Sequence, residues 1–430
     1  MKKIENHLKN LLLILLTLSH TLNICAQIDW NRYENNPIIE VGPADTWESR
    51  VSGPTSVIHH NGLYEAWIIG VDETDVGRVG YATSTDGIEW IKYENNPVLV
   101  PGNQGEWDEA NADHACVLFI DSIYKMWYMG EDAHSARIGY ATSSDGIIWD
   151  KYSGNPVMDL GPPGSWDETE VMHPSVLFDG NTYHMWYNGF GQGVQRTGYA
   201  TSEDGINWIK YAGNPVLSVG SPAAWDDYML ALMAVLYKDN EYKMWYTGGD
   251  GTEEDSRYFR IGHATSPDGI TWTKYGNNPV LDIGDVGAWD SLGVVTSAVL
   301  FDTAMNVYKM WYGGLDGSYG RTGYATSDPV TGLIDDSDKG FPYNFGLQQN
   351  HPNPFDQITT ITYMVAKSQK IKLTVYDILG NEIEVLAEGF HESGTYSMEF
   401  SASNLSSGIY YYMLQISPRL MITKKMAVMK

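Results

Sequence analysis

The feature that most constrains the fold of this chain is a repeat of about 60 residues. The string K-Y-x-x-N-P-V begins at Lys92, Lys151, Lys210 and Lys274, and a variant, R-Y-E-N-N-P-I, begins at Arg32. Two more strings, Y-x-[MA]-W-[YI]-x-G and W-[DE], recur in step with it, and a tryptophan precedes each K-Y or R-Y pair. These positions account for all 15 tryptophans. Because a fixed period of this length indicates an array of equal units, each tryptophan is first expected to have a structural role.

Each unit is predicted to contain four β-strands. In the third unit, Pro174 to Phe178 is an apolar run, Tyr183 to Tyr187 alternates with period two, and Thr197 to Ser202 gives a third strand. Asp204-Gly205 then predicts a tight type I′ turn before a fourth strand over 206–211. No segment has a long helical period, so we predict an all-β fold.

Four strands repeated five times predict a five-bladed β-propeller. The N-terminal segment 28–38 resembles the fourth strand of a unit, but the first three strands of such a unit do not precede it. The fifth unit, in turn, stops after its third strand, at Ser327. We therefore expect the N-terminal strand to complete the last blade, which removes exposed sheet edges. The predicted propeller covers residues 27–330.

Charge and composition exclude several partners. Asp and Glu total 54 against 27 Lys and Arg, a net charge of −27. This acidic balance argues against nucleic acid as the main partner, because phosphate binding needs a basic face, and against a polybasic membrane anchor. Only two cysteines are present, which excludes a disulfide scaffold, and Cys116 is expected to be a buried, unreactive thiol. No internal stretch reaches the roughly 20 apolar residues of a transmembrane helix.

Residues 1–26 are predicted to be a secretory signal. Lysines precede a short apolar core, and Ala26 allows cleavage before Gln27. Lipid attachment at Cys25 is the alternative. No membrane-spanning segment is therefore expected in the mature chain.

The last ninety residues differ in composition and form a separate domain. Residues 331–345 are predicted to be a linker and residues 346–430 a small Ig-like β-sandwich, since Ile371 to Tyr376 and similar runs alternate as strands. The strings N-H-P-N-P-F from Asn350, V-Y-D from Val375, L-S-S-G-I-Y from Leu405 and K-K-M from Lys424 occur in that order. Together they resemble the C-terminal sorting domain of type IX secretion substrates. This resemblance implies a Bacteroidota-type bacterium, export by the type IX secretion machinery, and a secreted or cell-surface protein.

Function is expected where the repeats disagree. Aligned on Val57, Val117, Val176, Val235 and Val299, the units diverge just before the valine. The first strand of a propeller blade lies nearest the axis, so these segments should line the mouth of the channel. Units one to three contribute polar side chains there: Arg50, Asn111, Asp113, His114, Glu170 and His173. Units four and five contribute mostly Met, Leu and Val, and this mixture suits a small-ligand site.

The strings Y-x-M-W-Y, G-Y-A-T-S-x-D-G-I-x-W and N-P-V resemble the five-bladed glycosidase superfamily, which includes arabinanases, β-xylosidases, invertases and mannoside phosphorylases. The resemblance covers about residues 28–330 and implies acidic residues on the inner strands of the first three blades. Asp113 fits the second of these positions, and Glu170, or alternatively Glu168, fits the acid in blade three. Blade one departs from the family, since Gly53-Pro54 stands where Asp-Pro is expected.

Glycoside cleavage needs two carboxylates, about 5–5.5 Å apart for retention or about 6.5–9.5 Å for inversion. We assign Asp113 and Glu170 as catalytic candidates, and Arg50, Asn111, His114, His173 and Glu168 as substrate-binding candidates. Neighbouring residues of a regular strand face opposite ways, so Asp113 and His114 can share the channel only if the strand is irregular. No metal site is assigned, because the two histidines with Asp113 lack a metal-binding spacing.

Two functions follow from these residues. The first is a secreted glycoside hydrolase acting on an extracellular polysaccharide or oligosaccharide. The alternative is a non-catalytic glycan-binding or surface-interaction propeller, favoured by the missing aspartate in blade one. No cofactor is expected, apart from structural Ca²⁺ as a weaker option at acidic loops such as Asp72 to Asp75 and Glu253 to Asp255.

Overall fold

The described part of the chain is built from β-strands, joined by turns and loops. A computed structural model describes residues 30–60, 62–251, 258–303, 305–328, 347, 349–365, 369–377, 381–392, 394–417 and 420–430. Within these ranges every named element is a strand, which confirms the all-β prediction. Among them no helix is long and apolar enough to cross a membrane. The predicted signal at 1–26 and the linker at 331–345 lie outside the described residues.

The repeat forms five units of antiparallel strands. Unit 1 contains β2 (Val51–His60), β3 (Leu63–Val71), β4 (Gly77–Ser84) and β5 (Ile91–Lys92); unit 2 contains β6 (Asn111–Ile120), β7 (Ile123–Glu131), β8 (Ala136–Ser143) and β9 (Asp150–Lys151). Unit 3 contains β10 (Glu170–Phe178), β11 (Tyr183–Gly191), β12 (Val194–Ser202) and β13 (Ile209–Lys210). Unit 4 contains β14 (Met229–Lys238), β15 (Glu241–Gly249), β16 (Phe259–Ser266) and β17 (Thr273–Lys274), and unit 5 contains β18 (Gly293–Asp302), β19 (Val307–Leu315) and β20 (Gly320–Ser327).

The first strands of the five units form a ring. β2 contacts β6, β6 contacts β10, β10 contacts β14, β14 contacts β18, and β18 returns to β2. At three junctions, from unit 3 to 4, 4 to 5 and 5 to 1, a single parallel bridge joins the third strand of one unit to the first strand of the next, as between Gln195 and Met229. The segments that diverge between units therefore surround one axis.

The N-terminal strand supplies the outer strand of unit 5. β1 (Trp30–Arg32) pairs antiparallel with β20, with Trp30 opposite Ser327. In the other units a lysine of the K-Y string pairs with the buried acid of the W-[DE] string: Lys92 with Glu48 at 2.7 Å, Lys151 with Asp108 at 2.6 Å, Lys210 with Asp167 at 2.7 Å and Lys274 with Asp226 at 2.6 Å. In unit 5 the cation is Arg32, 3.3 Å from Asp290. The first strand of the described chain thus provides both the hydrogen-bonding edge and the cation that unit 5 otherwise lacks.

Buried tryptophans join neighbouring units. The indole N–H of the second-strand tryptophan donates to a glycine carbonyl in the Asp-Gly turn of the next unit: Trp67 to Gly146 at 2.9 Å, Trp127 to Gly205 at 2.8 Å, Trp186 to Gly269 at 2.8 Å and Trp311 to Gly87 at 2.7 Å. These side chains are fully buried. Their repetition supports the structural role expected from the sequence.

The Asp-Gly turns differ from the sequence prediction in type, and the fourth strands are shorter than predicted. A type I′ turn needs positive φ at both central residues, but in unit 3 only Gly205, at +79°, has it. The carboxylate of Asp204 instead accepts hydrogen bonds from the backbone N–H groups of Ile206 and Asn207 at 2.8 and 2.7 Å. These bonds hold residues 206 and 207 in the turn, so β13 is only Ile209–Lys210.

Cys116 is half-buried as a residue, and its sulfur lies between two inner strands. Its sulfur accepts a hydrogen bond from the backbone N–H of Val176 at 3.3 Å, and burial raises the pKa of the thiol to about 11. Ser56 and Ser175 occupy the same position and accept equivalent bonds from Val117 and Val235. The thiol therefore joins two inner strands in the way that serine does in units 1 and 3.

The C-terminal residues form two antiparallel sheets around one core. Their strands are β21 (Ile358–Val365), β22 (Gln369–Tyr376), β23 (Glu382–His391), β24 (Gly394–Ser401), β25 (Gly408–Ser417) and β26 (Leu420–Val428). One sheet pairs β21 with β24, and the other has the order β23-β22-β25-β26. Side chains such as Ile361, Leu373, Phe400, Tyr412 and Met426 fill the space between the sheets.

Candidate functional site

The inner strands are irregular at one shared position. Each has a shift of register within the four residues before the aligning valine: between Pro54 and Ser56, Asp113 and Cys116, Met172 and Ser175, Ala231 and Met233, and Thr296 and Ala298. His114 and His173 have positive φ, +45° and +51°. A bulge breaks the alternation of a strand and redirects its side chains. Because the strand is irregular here, the side chains of Asp113 and His114 can belong to one site although the two residues are neighbours.

A cavity of about 310 Å³ lies on the axis of the ring. Residues of all five units line it, including Thr55, His114, His173, Met233 and Ser297 at or beside the five bulges. On the side of units 5 and 1 the lining combines aliphatic side chains, such as Val51 and Leu315, with hydroxyl groups, such as that of Thr296. Asp113 and Glu170 are not among the residues that line it.

Asp113 orients His114 from behind the cavity. Its Oδ1 atom lies 2.7 Å from Nδ1 of His114, and the carboxylate is almost fully buried. A carboxylate can only accept this bond, so Nδ1 carries the proton and Nε2 of a neutral ring is left as an acceptor. The other oxygen, Oδ2, packs on Gly77, where a Cβ would lie only 1.9 Å from it. Gly77 is therefore required for the position of Asp113.

His173 is held as a neutral imidazole beside His114. Its Nδ1 lies 3.3 Å from Oδ1 of Asn188, and the amide of Asn188 donates to the carbonyl of Leu230 at 3.0 Å, which fixes the amide orientation. The two imidazole rings meet edge to face, with centroids 4.5 Å apart. Burial, and next the nearby His114, hold the pKa of His173 well below its ordinary value. His173 can thus offer Nε2 to a ligand as a neutral ring.

Glu170 lies in an acidic group between units 2 and 3. Burial, and next the charge of Glu131, raise the pKa of its carboxyl. Glu131 ends β7 and accepts a hydrogen bond from the amide of Asn111 at 2.7 Å. The carbonyl oxygen of that amide accepts from the backbone N–H of Gly77 at 2.6 Å. Gly77 therefore links Asn111 and Asp113, and Asn111 links them to Glu131, whose charge acts on Glu170.

The remaining two candidates lie apart from this group. Arg50 makes an exposed ion pair with Asp75. Glu168 accepts a hydrogen bond from the backbone N–H of Gly164 at 2.6 Å, and Glu109 and Asp227 make the same contact in units 2 and 4. The structure thus brings together Asn111, Asp113, His114 and His173, places Glu170 beside Glu131, and gives Glu168 a contact that the repeat shares.

Glu131 and Asn188 were missed in the sequence analysis, although a signal for both exists. Glu131 aligns with Val71, Phe190, Gly249 and Leu315 at the end of the second strand, and Asn188 aligns with Ile69, Met129, Thr247 and Gly313. The comparison of diverging positions was made only for the first strand. The same comparison along the second strand singles out both residues.

The acidic loops are where structural Ca²⁺ was expected as the weaker option. In the described ranges no group of three or more His, Cys, Asp or Glu side chains is placed to hold a metal ion. Asp72 accepts hydrogen bonds from the backbone N–H groups of Thr74 and Val76 and pairs with Arg78 at 2.7 Å. Glu253 to Asp255 lie outside the described residues, so structural Ca²⁺ stays a prediction.

The C-terminal domain matches a known family. The model of the secretion system C-terminal sorting domain matches residues 350–429. This is the type IX sorting domain that the sequence resembled, and it supports export to the cell surface or the medium.

The ring resembles curated proteins and solved structures. An uncharacterized protein of Mycobacterium tuberculosis, MT1551, is 28% identical over 267 residues, which cover 59% of this chain and 83% of that protein. A 1,2-β-oligomannan phosphorylase of Thermoanaerobacter sp. is 29% identical over 137 residues, covering 28% of this chain and 44% of that protein. One solved structure belongs to a study of the GH130 family of mannoside phosphorylases, a family that contains glycoside hydrolases targeting β-1,2 mannosidic linkages in Candida mannan. It superposes with a TM-score of 0.59 at 18% identity, and the match covers 72% of this chain and 96% of that one. The ring therefore has the fold of glycoside hydrolase-like propeller proteins, and a type IX sorting domain follows it.

Proposed function

We propose that this protein is a secreted or cell-surface glycoside hydrolase that acts on an extracellular polysaccharide or oligosaccharide. In this proposal residues 27–330 form a five-bladed β-propeller closed by the N-terminal strand, and residues 346–430 form an Ig-like sandwich that directs type IX secretion. The ring of inner strands and the pairing of β1 with β20 support the architecture. The mannoside-active relatives and the sorting domain support a carbohydrate ligand met outside the cell.

The acidic group between units 2 and 3 is the observation that carries the proposal. A general acid must keep its proton near neutral pH, and burial beside a second carboxylate achieves this. Glu170 has both features, with Glu131 as the second carboxylate. We assign Glu170 as the acid that protonates the leaving oxygen. Asp113 is the second carboxylate, acting at the substrate directly or through His114, and Asn111, His114 and His173 bind sugar hydroxyls.

A non-catalytic glycan-binding propeller is the second candidate, and the environment of Gly53 favours it. Gly53 lines the axial cavity, at the position where the resemblance to the glycosidase superfamily implies a blade-one aspartate. A Cβ at this position would lie 2.5 Å from Oγ1 of Thr322, so the unit 1 wall has no room for a carboxylate there without a shift. Asp113 is also turned towards Gly77 and His114. A site built in this way can hold a sugar without cleaving it.

Product release from a broad panel of plant, algal and microbial glycans separates the two candidates. The chain from Gln27 onward is compared with its Glu170→Gln variant and with Glu203→Gln, which changes an exposed glutamate of the same unit. If the parent and Glu203→Gln release product and the rate falls by about 10²- to 10⁴-fold in Glu170→Gln, the result supports hydrolysis with Glu170 as the acid. Equal release by all three removes Glu170 from the mechanism. Saturable glycan binding without product supports the binding propeller, and neither binding nor release contradicts both.

A further inference from the structure

The third strand of each unit carries an arginine near its start, and in four units an acid from the preceding hairpin neutralises it. The pairs are Arg78 with Asp72 at 2.7 Å, Arg137 with Asp132 at 3.3 Å, Arg260 with Asp250 at 3.3 Å and Arg321 with Asp316 at 2.7 Å. In units 2, 4 and 5 a second acid, from the segment after the fourth strand, pairs with the same arginine: Asp159 at 3.0 Å, Asp282 at 2.8 Å and Glu40 at 2.9 Å. These four guanidinium groups therefore have their charge balanced within the protein.

Arg196 of unit 3 has neither acid. Gly191 stands at the position of the hairpin acid, and Ser218 stands at the position of the second acid. A Cβ on Gly191 would lie 2.7 Å from the carbonyl oxygen of Ser165, so no acidic side chain fits there without a shift of the backbone. Within the described residues the guanidinium of Arg196 makes no ion pair and no hydrogen bond. Unit 3 is thus the unit in which both acids are replaced together.

An unpaired guanidinium at this depth is unusual. The side chain of Arg196 is partly buried, and none of its nitrogen atoms is fully shielded from solvent. Charged groups that leave water are generally paired with an opposite charge, and the four equivalent arginines follow this rule. The chain carries a net charge of −27, so acids are abundant, yet none is placed against this cation in the part of the chain that the structure describes. The guanidinium is therefore available to an anion from outside the protein.

Arg196 lies at the end of unit 3 that also carries Glu170. Glu170 is opposite Phe190 in the sheet, and Phe190 is opposite Gln195, which precedes Arg196. Neighbouring strands lie about 4.8 Å apart, so the backbone of Arg196 is about 10 Å from the strand of Glu170. This separation exceeds one sugar ring. An anion that meets Arg196 while a glycan occupies the acidic group therefore belongs to a neighbouring sugar residue of the same glycan.

We propose that Arg196 binds an anionic group of the glycan, the carboxylate of a uronic acid or a sulfate ester, and that the protein takes an acidic glycan. This inference rests on the proposed carbohydrate function and names the substrate class. The planar guanidinium matches two oxygen atoms of a carboxylate or sulfate. Repulsion by the distant acids of the chain is screened over about 8 Å at physiological salt, so the direct contact dominates. A charge-assisted pair of this kind is worth about tenfold or more in affinity.

Pairs of oligosaccharides that differ only in the anionic group test the proposal. Oligogalacturonides, alginate oligosaccharides and glucuronate-substituted xylo-oligosaccharides are each compared with their carboxyl-reduced forms, and sulfated galactan oligosaccharides with their desulfated forms. Calorimetric titration of the chain from Gln27 onward, at about 0.15 M salt, gives the dissociation constants. A preference of about tenfold or more for the anionic member in the tightest-binding pair supports the proposal, and the class of that pair identifies the anion. Equal binding within every pair, tighter binding of the neutral member, or no binding of any pair overturns it.

A substitution that restores the missing acid ties the preference to Arg196. Ser218→Asp places a carboxylate where Asp159 and Asp282 pair with the arginines of units 2 and 4, so it neutralises Arg196 without removing it. We expect the preference for the anionic member to fall to about threefold or less. Ser153→Asp is the matched control, because it adds the same charge at an exposed turn of unit 2, and its preference should equal that of the parent.

Removal of the cation gives the second variant. Arg196→Gln should lower the preference to the same extent as Ser218→Asp and leave the affinity for the neutral member unchanged. Lys370→Gln is its control, since it removes an equal charge from an exposed position of β22. A preference that persists in folded Arg196→Gln or folded Ser218→Asp protein overturns the assignment of Arg196. If one of the two variants does not fold, the other decides.

Failure here and failure of the proposed function are distinguishable. Equal affinities within the oligosaccharide pairs overturn the anion site only. The glycan panel, with neither binding nor product from any glycan, overturns the carbohydrate function itself.

Discussion

Asp113 and His114 are neighbours in one strand, yet Oδ1 of the first lies 2.7 Å from Nδ1 of the second. A regular strand would point the two side chains to opposite faces. The positive φ of His114 and the register shift at this point remove that constraint. The pair gives the axial cavity an imidazole whose tautomer is set by a buried carboxylate.

The Asp113→Asn variant tests this relationship. An asparagine can donate to Nδ1, which favours the tautomer with the proton on Nε2 and reverses what the ring offers to a ligand. On a glycan identified in the panel, we expect kcat/KM to fall by about 10²- to 10⁴-fold while the melting temperature changes little. Asp150→Asn, at an exposed position of β9, is the control. Unchanged kinetics in Asp113→Asn would show that the carboxylate serves the fold alone.

The pH dependence of activity should report the coupling between Glu170 and Glu131. The pKa of Glu170 is raised from its ordinary value of 4.5 by burial and by Glu131, so the acid is lost only when the pH rises through that higher pKa. Glu131→Gln removes the like charge, and we expect the alkaline limb of the pH–rate profile to move to lower pH. An alkaline limb that stays in place would contradict the role of Glu131.

The same shift has a consequence for stability. Between 4.5 and the raised pKa, the folded chain binds a proton at Glu170 that the unfolded chain has lost, so the free energy of unfolding falls as the pH rises through this window. Glu170→Gln removes this dependence. We therefore expect the variant to gain melting temperature relative to the parent above the window and not below it. Parallel melting curves across pH would count against the buried environment of Glu170.

Gly77 is expected to accept no side chain. A Cβ would lie 1.9 Å from Oδ2 of Asp113, so Gly77→Ala must displace the carboxylate and should destabilise the ring by about 1–3 kcal/mol. Gly276→Ala is the matched control, since nothing lies within 4 Å of its Cβ position, and its effect should stay within about 0.5 kcal/mol. Chemical denaturation of both variants measures the difference. Equal stabilities would show that Asp113 moves freely.

Removal of residues 27–38 should destabilise the whole ring. The deletion takes away β1, the Arg32–Asp290 ion pair and the edge-to-face contact of Trp30 with Trp245 at 6.0 Å. Loss of the tryptophan packing alone costs about 3 kcal/mol or more, which corresponds to a drop in melting temperature of about 6–12 °C for a domain of this size. Calorimetry of the parent and the deletion gives the value, with Arg32→Lys as a control that keeps the charge. An unchanged melting temperature would sink the closure of the ring by this strand.

Export should depend on the C-terminal domain. Deletion of residues 346–430 removes the matched sorting region, so in a host with a type IX system we expect the ring to remain inside the cell envelope. Fractionation and immunoblotting of cells and medium measure its location. Normal release of the truncated protein would contradict the assignment of the tail as the sorting signal.

Repetition in the sequence determined most of the scaffold. The period of about 60 residues and its alternating strands were enough to predict an all-β chain of five units. The incomplete units at either end predicted that the segment 28–38 completes the last unit, and within it Trp30–Arg32 pairs with β20. These features depend on local patterns that recur, so the strand pattern of each unit supports the strands predicted for the others. The tail was recognisable for the same reason, since several short strings occur in a fixed order.

The arrangement of the candidate site depended on tertiary contacts that no local pattern contains. Alternation along a strand could not place Asp113 beside His114, because the bulge that joins them is a property of the packed inner strand. Alternation also could not predict that Glu170 lies near Glu131, because the two residues belong to different units. It could not predict that Glu168 accepts a hydrogen bond from the backbone of Gly164. The sequence by itself determined which positions diverge. Only the closed ring decided which of them meet, because residues distant in the chain come into contact through the packing of one unit on the next.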